Sequence, residues 1–328
     1  MPEAPSSDLK PIPLIESGHA EDLLAGAPQG FETIMRAARE RYGDRTILLA
    51  DRLSRRWMAR SRNPLLAEMD AVARRLGRPG AFFLNLSYLW SCTTGVGPDP
   101  GRPGNRLRRT LDWPLDGLGR SLVMARAQPP AGPYYAATWP GYVGVLTAMA
   151  PGRFSAAINQ PPMDRHTGWR NLDWLLNRLA VWRRRALPPD HLLRRVFEVA
   201  ASYDEARRLL LESPLSLPAF FTLGGLAPDQ CCIIERTPDG AAVADGPGCA
   251  ANHWRLLPVR GHLRGTNSAG RHDHMTAHRD TPSGGFAWVV PPVLNPTTRV
   301  AAVMNAREGR FDLMGWEDEA PATRPFCL

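Results

Sequence analysis

A chain of 328 residues, 44% hydrophobic and 22% charged, is long enough to bury a proper core and too apolar to remain a disordered polymer. The net charge of +8 raises nucleic acid as a partner, but the basic residues are nearly all Arg, spread along the chain, with no recognised binding motif, so none is expected. Five cysteines, with Cys231 and Cys232 adjacent, do not form a disulfide framework, and no run is long enough to span a membrane.

Met1 to Asp8 lack the basic-then-apolar order of a signal peptide, so a reducing, cytoplasmic setting is expected. Residues 1–30 are Pro-rich and read as irregular. Residues 31–41 read as a helix ended near Gly43, and Leu65–Leu76 as a second, with Pro64 at its start and Gly77 beyond its end. The apolar run Ala81–Trp90 has the length of a buried strand and leads directly to Cys92. After a Gly/Pro-rich loop from Gly95 to Asn105, the turn signals Pro140-Gly141 and Pro151-Gly152 separate strands 134–139, 142–149 and 154–159.

Three helices follow. Residues 171–186 carry Leu172, Leu175, Leu176 and Leu179 at helical spacing, 190–200 form the next, and Ser202-x-x-Glu205 is a capping box opening the third. Strands 231–236 and 241–244 flank Asp239-Gly240, and 299–304 and 310–314 flank Glu308-Gly309. Hairpins at both ends with helices grouped between them predict an α+β fold of antiparallel sheets covered by helices.

Ser91-Cys92 followed by Arg109-x-x-Asp112 suggests a particular chemistry. If the chain is cut before Cys92, that residue carries both a thiol nucleophile and its own α-amine as base. An α-amine titrates near ~8, so it can take a thiol proton at neutral pH. The competing readings are a core strand ending in a structural cysteine, an ordinary cross-strand pair for Arg109 and Asp112, and a turn cap for Asn252. His272, His274 and His278, with Asp273 and Asp280 nearby, offer a zinc hydrolase as a rival, although no metalloprotease Glu intervenes and a solvated face is the simpler account.

Taken in order, several segments resemble the linear-amide hydrolase family, which includes acid ceramidase, N-acylethanolamine acid amidase, choloylglycine hydrolase and the penicillin acyltransferases. They are Arg109-Thr-Leu-Asp112-Trp113, Pro140-Gly-Tyr-Val-Gly-Val-Leu-Thr147, Pro151-Gly-Arg-Phe-Ser155 with Asn159, Ala251-Asn252-His253-Trp254, Asn267-Ser268-x-x-Arg271 and Asn295-x-x-Thr298-Arg299. The resemblance covers about residues 80–317. It implies a four-layer αββα sandwich, autocleavage at Ser91-Cys92, a propeptide 1–91 that stays associated, and a catalytic domain 92–328.

By the same resemblance, Cys92 is the nucleophile and Arg109 biases its thiol towards thiolate. Asp112 holds the α-amine or the leaving nitrogen, Asn252 receives the oxyanion, and Arg271 supports them. Trp113, Trp139, Tyr142, Asn159 and Gln160 are the expected substrate contacts. Two departures concern those contacts: Ala251 replaces a usual Thr, and Gln160 stands where ceramidase-like relatives tend to have Glu. The expected activity is hydrolysis of a small-molecule N-acyl amide with no cofactor or metal. Acyl transfer to an amine, or an uncleaved chain that only binds acyl amides, remain alternatives, and the oligomeric state is open.

Overall fold

The computed structural model describes residues 9–282 and 285–328, so the leader reading of Met1 to Asp8 lies outside the described residues. The helices are α1 Ala20–Gly26, α2 Pro28–Tyr42, α3 Asp44–Arg60, α4 Leu66–Leu76, α5 Ala81–Leu86, α6 Arg170–Arg183, α7 Pro189–Val199, α8 Tyr203–Glu212 and α9 Ser268–His278. The first strands are β1 Leu14–Ile15, β2 Ser91–Pro98, β3 Asn105–Asp112, β4 Val123–Ala127, β5 Tyr134–Thr138, β6 Thr147–Ala150, β7 Phe154–Asn159 and β8 Met163–Asp164. They continue as β9 Ala219–Gly224, β10 Cys231–Thr237, β11 Gly240–Asp245, β12 Gly248–Ala250, β13 Gly261–His262, β14 Thr298–Asn305, β15 Arg310–Glu317, β16 Ala320–Pro321 and β17 Phe326–Cys327.

Two sheets stack face to face. One runs β1-β4-β5-β6-β7-β9-β10-β11; the other runs β12-β2-β3-β14-β15-β16, with β17 also on β15. Strands β2 and β3 lie over β7 and β9, and the main core of Val96, Leu107, Leu111, Ile158 and Phe221 fills the space between. Helices α7 and α8 cover the first sheet through Leu192, Val196, Phe197 and Leu210. On the second sheet's outer face, α9 and the 286–294 segment bury Met275, Trp288 and Val293 against Ala301, Val303 and Met314. The order is helix, sheet, sheet, helix, as expected from the sequence.

Local expectations fail where tertiary contacts supply what the sequence lacks. Ala81–Leu86 is a helix, not a strand, because Asp51 from α3 caps it: one carboxylate oxygen accepts the N–H groups of Gly80, Phe82 and Phe83 at 2.9–3.0 Å. Residues 142–146 are irregular, not strand. Val143 N–H donates to Asn85 Oδ1 (2.8 Å), Val145 N–H to the Asp190 carbonyl (3.1 Å), and Arg109 donates to the Leu146 carbonyl (2.9 Å). The region read as irregular contains α1, and β1 pairs in parallel with β4. The strand β2 runs on to Pro98, so the first four residues of the expected Gly/Pro loop, Gly95 to Pro98, are sheet.

Candidate active site

The strands β2 and β3 pair antiparallel with Ser91 opposite Asp112, Cys92 opposite Leu111 and Thr94 opposite Arg109. Side chains alternate across a strand, so this register turns Cys92 and Arg109 into the gap between sheets and Ser91, Thr93 and Asp112 towards α9. Arg109 Nη2 donates to Cys92 Sγ at 2.8 Å and to the Ile158 carbonyl at 3.2 Å, while Nη1 reaches the Leu146 carbonyl and the Thr147 hydroxyl. Its neighbour Arg108 faces the opposite way. It donates to the carbonyls of His278 and Thr281 at the end of α9, where helix acceptors lack intrahelical partners.

On the α9 side, Cys92 N–H donates to Asn252 Oδ1 at 3.0 Å. Arg271 Nη1 donates to the Cys92 carbonyl (2.7 Å) and Thr93 Oγ1 (2.8 Å), and its Nη2 to Asn252 Oδ1 (2.8 Å). Asp112 Oδ2 lies 3.7 Å from Arg271 and 3.5 Å from Ser91 Oγ, and its Oδ1 accepts from Thr298 (2.9 Å). Asn252 sits just beyond β12, and its Nδ2 donates to the Gln160 carbonyl at 2.6 Å. Asn159 Nδ2 fixes the same turn through the carbonyls of Ala250 (2.9 Å) and Ala251 (3.2 Å). Cys92, Arg109, Asp112, Asn252 and Arg271 therefore meet around one peptide bond, all buried.

Burial pushes the Cys92 thiol above its ordinary value of 9.0, and the Arg109 guanidinium pulls against that shift. Arg109 thus favours the thiolate without overcoming burial in the intact chain. Burial likewise raises the Asp112 carboxyl above its ordinary value, opposed first by Arg271.

Ser91 and Gln160 line a cleft of about 590 Å³ whose walls include Tyr88, Trp174, Leu217 and Leu263. Gln160 Oε1 is buried there with no partner among the described residues. Trp113, Trp139 and Tyr142 are not brought to this cleft. They pack edge-to-face (5.6 and 6.0 Å between ring centroids) around a cavity of about 20 Å³ closed by Phe31 and Ile34 of α2. Tyr142 donates to Asp190 at 2.8 Å.

The three histidines do not converge. The rings of His274 and His278 stack 4.0 Å apart, with His274 Nε2 on the Trp288 carbonyl and His278 Nδ1 on the His274 carbonyl, while His272 faces Arg255 and Asp273. Among the described residues, no three or more His, Cys, Asp or Glu side chains are grouped to hold a metal ion. No helix among them is long and apolar enough to cross a membrane. The arginines lining the cleft, described below, were missed by sequence reasoning because they converge from separate elements and share no motif.

Facing sheets between helical layers, with Cys92 on β2 turned into the gap between them, define an αββα sandwich. The fold is that of the solved Caenorhabditis elegans N-acylethanolamine-hydrolyzing acid amidase (NAAA) ortholog, with a TM-score of 0.53 and 19% identity over 66% of this chain and 93% of that one. In sequence, 105 residues (31% of this chain and 25% of the relative) are 35% identical to the acid ceramidase of Heterocephalus glaber. Over 204 residues (60% of this chain and 52% of the relative) the chain is 29% identical to the N-acylethanolamine-hydrolyzing acid amidase of Oryctolagus cuniculus. No family model matches the chain. The chain is thus similar in part to acid ceramidase and to the N-acylethanolamine-hydrolyzing acid amidase, and it spans about a quarter of the length of the former and about half that of the latter.

Proposed function

We propose that this chain is a self-cleaving cysteine amidase, set in the cytoplasm, that hydrolyses a linear N-acyl amide. The carrying observation is that both ends of residue 92's chemistry are already held: Arg109 Nη2 lies 2.8 Å from the sulfur, and Asn252 Oδ1 lies 3.0 Å from the nitrogen that cleavage would free. In the cleavage step the thiol attacks the Ser91 carbonyl carbon, and the bond from that carbon to the Cys92 nitrogen breaks. The proton given up by sulfur ends on the nitrogen, which becomes the α-amine, and water hydrolyses the Ser91 thioester. The products are propeptide 1–91 and catalytic chain 92–328.

In turnover the α-amine accepts the thiol proton as sulfur attacks the substrate carbonyl, then delivers it to the departing amine. Water resolves the acyl-thioester. The Asn252 amide, freed from the Gln160 carbonyl, would face the developing oxyanion. Arg271 keeps the Cys92 carbonyl and the Asn252 side chain in register, and Asp112 holds the new α-amine. The placement of Ser91 on the cleft supports this reading, since the cut end and the substrate would then share one space.

A denaturing gel with intact mass measurement tests the proposal. Wild type should give pieces 1–91 and 92–328, and Cys92→Ala should give one unbroken, inactive chain. Active wild-type protein that is never cut, or a Cys92→Ala variant that still turns over amide, overturns it.

A further inference from the structure

The cleft that ends on Ser91 is strongly cationic. Arg41 at the end of α2, Arg170 and Arg178 on α6, and Arg264 just after β13 all line it, and Asp164 is the one carboxylate among its described lining residues. None of these four arginines, two exposed and two half-buried, forms an ion pair among the described residues, unlike the buried Arg194, which pairs with Glu68 and Glu198, and Arg299, which pairs with Asp116 and Glu317.

Arg264 is pinned in place. Its Nε donates to the Pro161 carbonyl (2.8 Å) and Nη1 to the Tyr88 carbonyl (3.4 Å), leaving Nη2 without a partner among the described residues. Arg178 lies by the Trp174 ring, whose centroid is 5.4 Å from its guanidinium carbon. Burial, then repulsion from Arg178 and Arg170, pushes Arg264 down to about 10. A fold holds guanidinium groups together in this way at a cost, which an incoming anion would offset. Gly265, the next residue, stands against Ser91, where a Cβ would be 2.7 Å from the Ser91 Cβ and Oγ, so Arg264 lies at the Ser91 end of the cleft.

We infer that the cleft selects an N-acyl amide whose amine part carries an oxyanion, of which an N-acyl α-amino acid is the simplest case, over a neutral N-acyl amino alcohol. The charge belongs close to the scissile bond because Arg264 does; the apolar walls at Leu217, Leu263 and Trp174 are left for the acyl chain. This inference rests on the amidase reading above.

N-lauroylglycine and N-lauroylethanolamine isolate the question, since they differ at the end of the amine part, carboxylate against hydroxymethyl. The glycine conjugate should show a kcat/KM about tenfold higher or more, in keeping with charge-assisted hydrogen bonds. That ratio should shrink as salt is added and fall several-fold in Arg178→Gln and in Arg264→Gln. A ratio at or below one, or one untouched by both substitutions, overturns the inference and leaves the amidase reading standing. If neither compound is hydrolysed, the amidase reading fails for them, and calorimetric binding to the full-length protein decides. Tighter binding of the glycine conjugate upholds the anion subsite, and equal or weaker binding removes it.

Discussion

At the scale of the residue, Arg109 does two things with one guanidinium: it contacts the candidate nucleophile and ties β3 to the opposite sheet through the Leu146 and Ile158 carbonyls. Arg109→Ala strips a charged donor from the Leu146 and Ile158 carbonyls, although the Ile158 N–H still reaches the Leu146 carbonyl at 3.0 Å, and should lower the unfolding free energy by about 2 kcal/mol, the usual worth of a hydrogen bond to a charged group. Denaturant titration in the uncut Cys92→Ala background measures it without the complication of two chains. The five side chains around residue 92 are legible in the sequence because short motifs in a set order along the chain mark them out. Arg178 and Arg264 are not, because nothing in their own neighbourhoods shows which cavity they will share. Trp113, Trp139 and Tyr142 pack together away from that cleft, because aromatic residues beside strand ends fit a packed core as well as a pocket wall.

At the scale of the element, the sequence marks where helices and hairpins fall better than which way they face. The leucine spacing of α6 is helical as read, but Leu172, Leu175 and Leu179 are exposed and Asp173 is the buried member. Asp173 accepts from Thr167 N–H (2.7 Å), Thr167 Oγ1 (2.8 Å) and Gly168 N–H (3.1 Å), and pairs with His262 (2.7 Å). Those bonds outweigh burial and hold its carboxyl well below the ordinary value. Polar anchoring of this kind leaves no periodic signature.

Helix α7 is seated similarly. Asp190 takes Tyr88 OH at 2.5 Å and Tyr142 OH at 2.8 Å on its two oxygens, and the helix comes so close to residue 144 that a Cβ there would stand 2.1 Å from Asp190 Oδ2, which explains the glycine. Burial first, then the Asp190 charge, raises both phenols well above their ordinary 10.0. A raised phenol contributes its full stability below pH 10.0 and loses it as pH climbs towards the folded-state value. Unfolding free energy should therefore fall on the alkaline side, and Tyr142→Phe should make that fall less steep, as read from denaturation midpoints across pH.

At the scale of the whole molecule, the proposed cut divides a structure whose two parts are interwoven. Strand β1 lies in the eight-stranded sheet beside β4, and Phe31 and Ile34 close over Trp139. Trp57 donates to the Val181 carbonyl (3.0 Å), and Glu68 pairs with Arg194 (2.9 Å). Strand β2 is itself held on both sides, by β12 and β3, so the new terminus has nowhere to drift. The pieces should co-elute from a sizing column in native buffer and separate only in denaturant.

The two extremities of the described fold also adjoin. Lys10 bridges Thr323, and its carbonyl accepts the Arg324 N–H at 3.0 Å. A gene reordered to begin at codon 92, with a short linker returning from Leu328 to residue 9, would put the thiol-bearing residue directly behind the initiator methionine. Trimming that methionine during ordinary ribosomal processing would expose the amine without self-splitting, so that maturation and turnover, fused in the natural gene order, become separable by permutation.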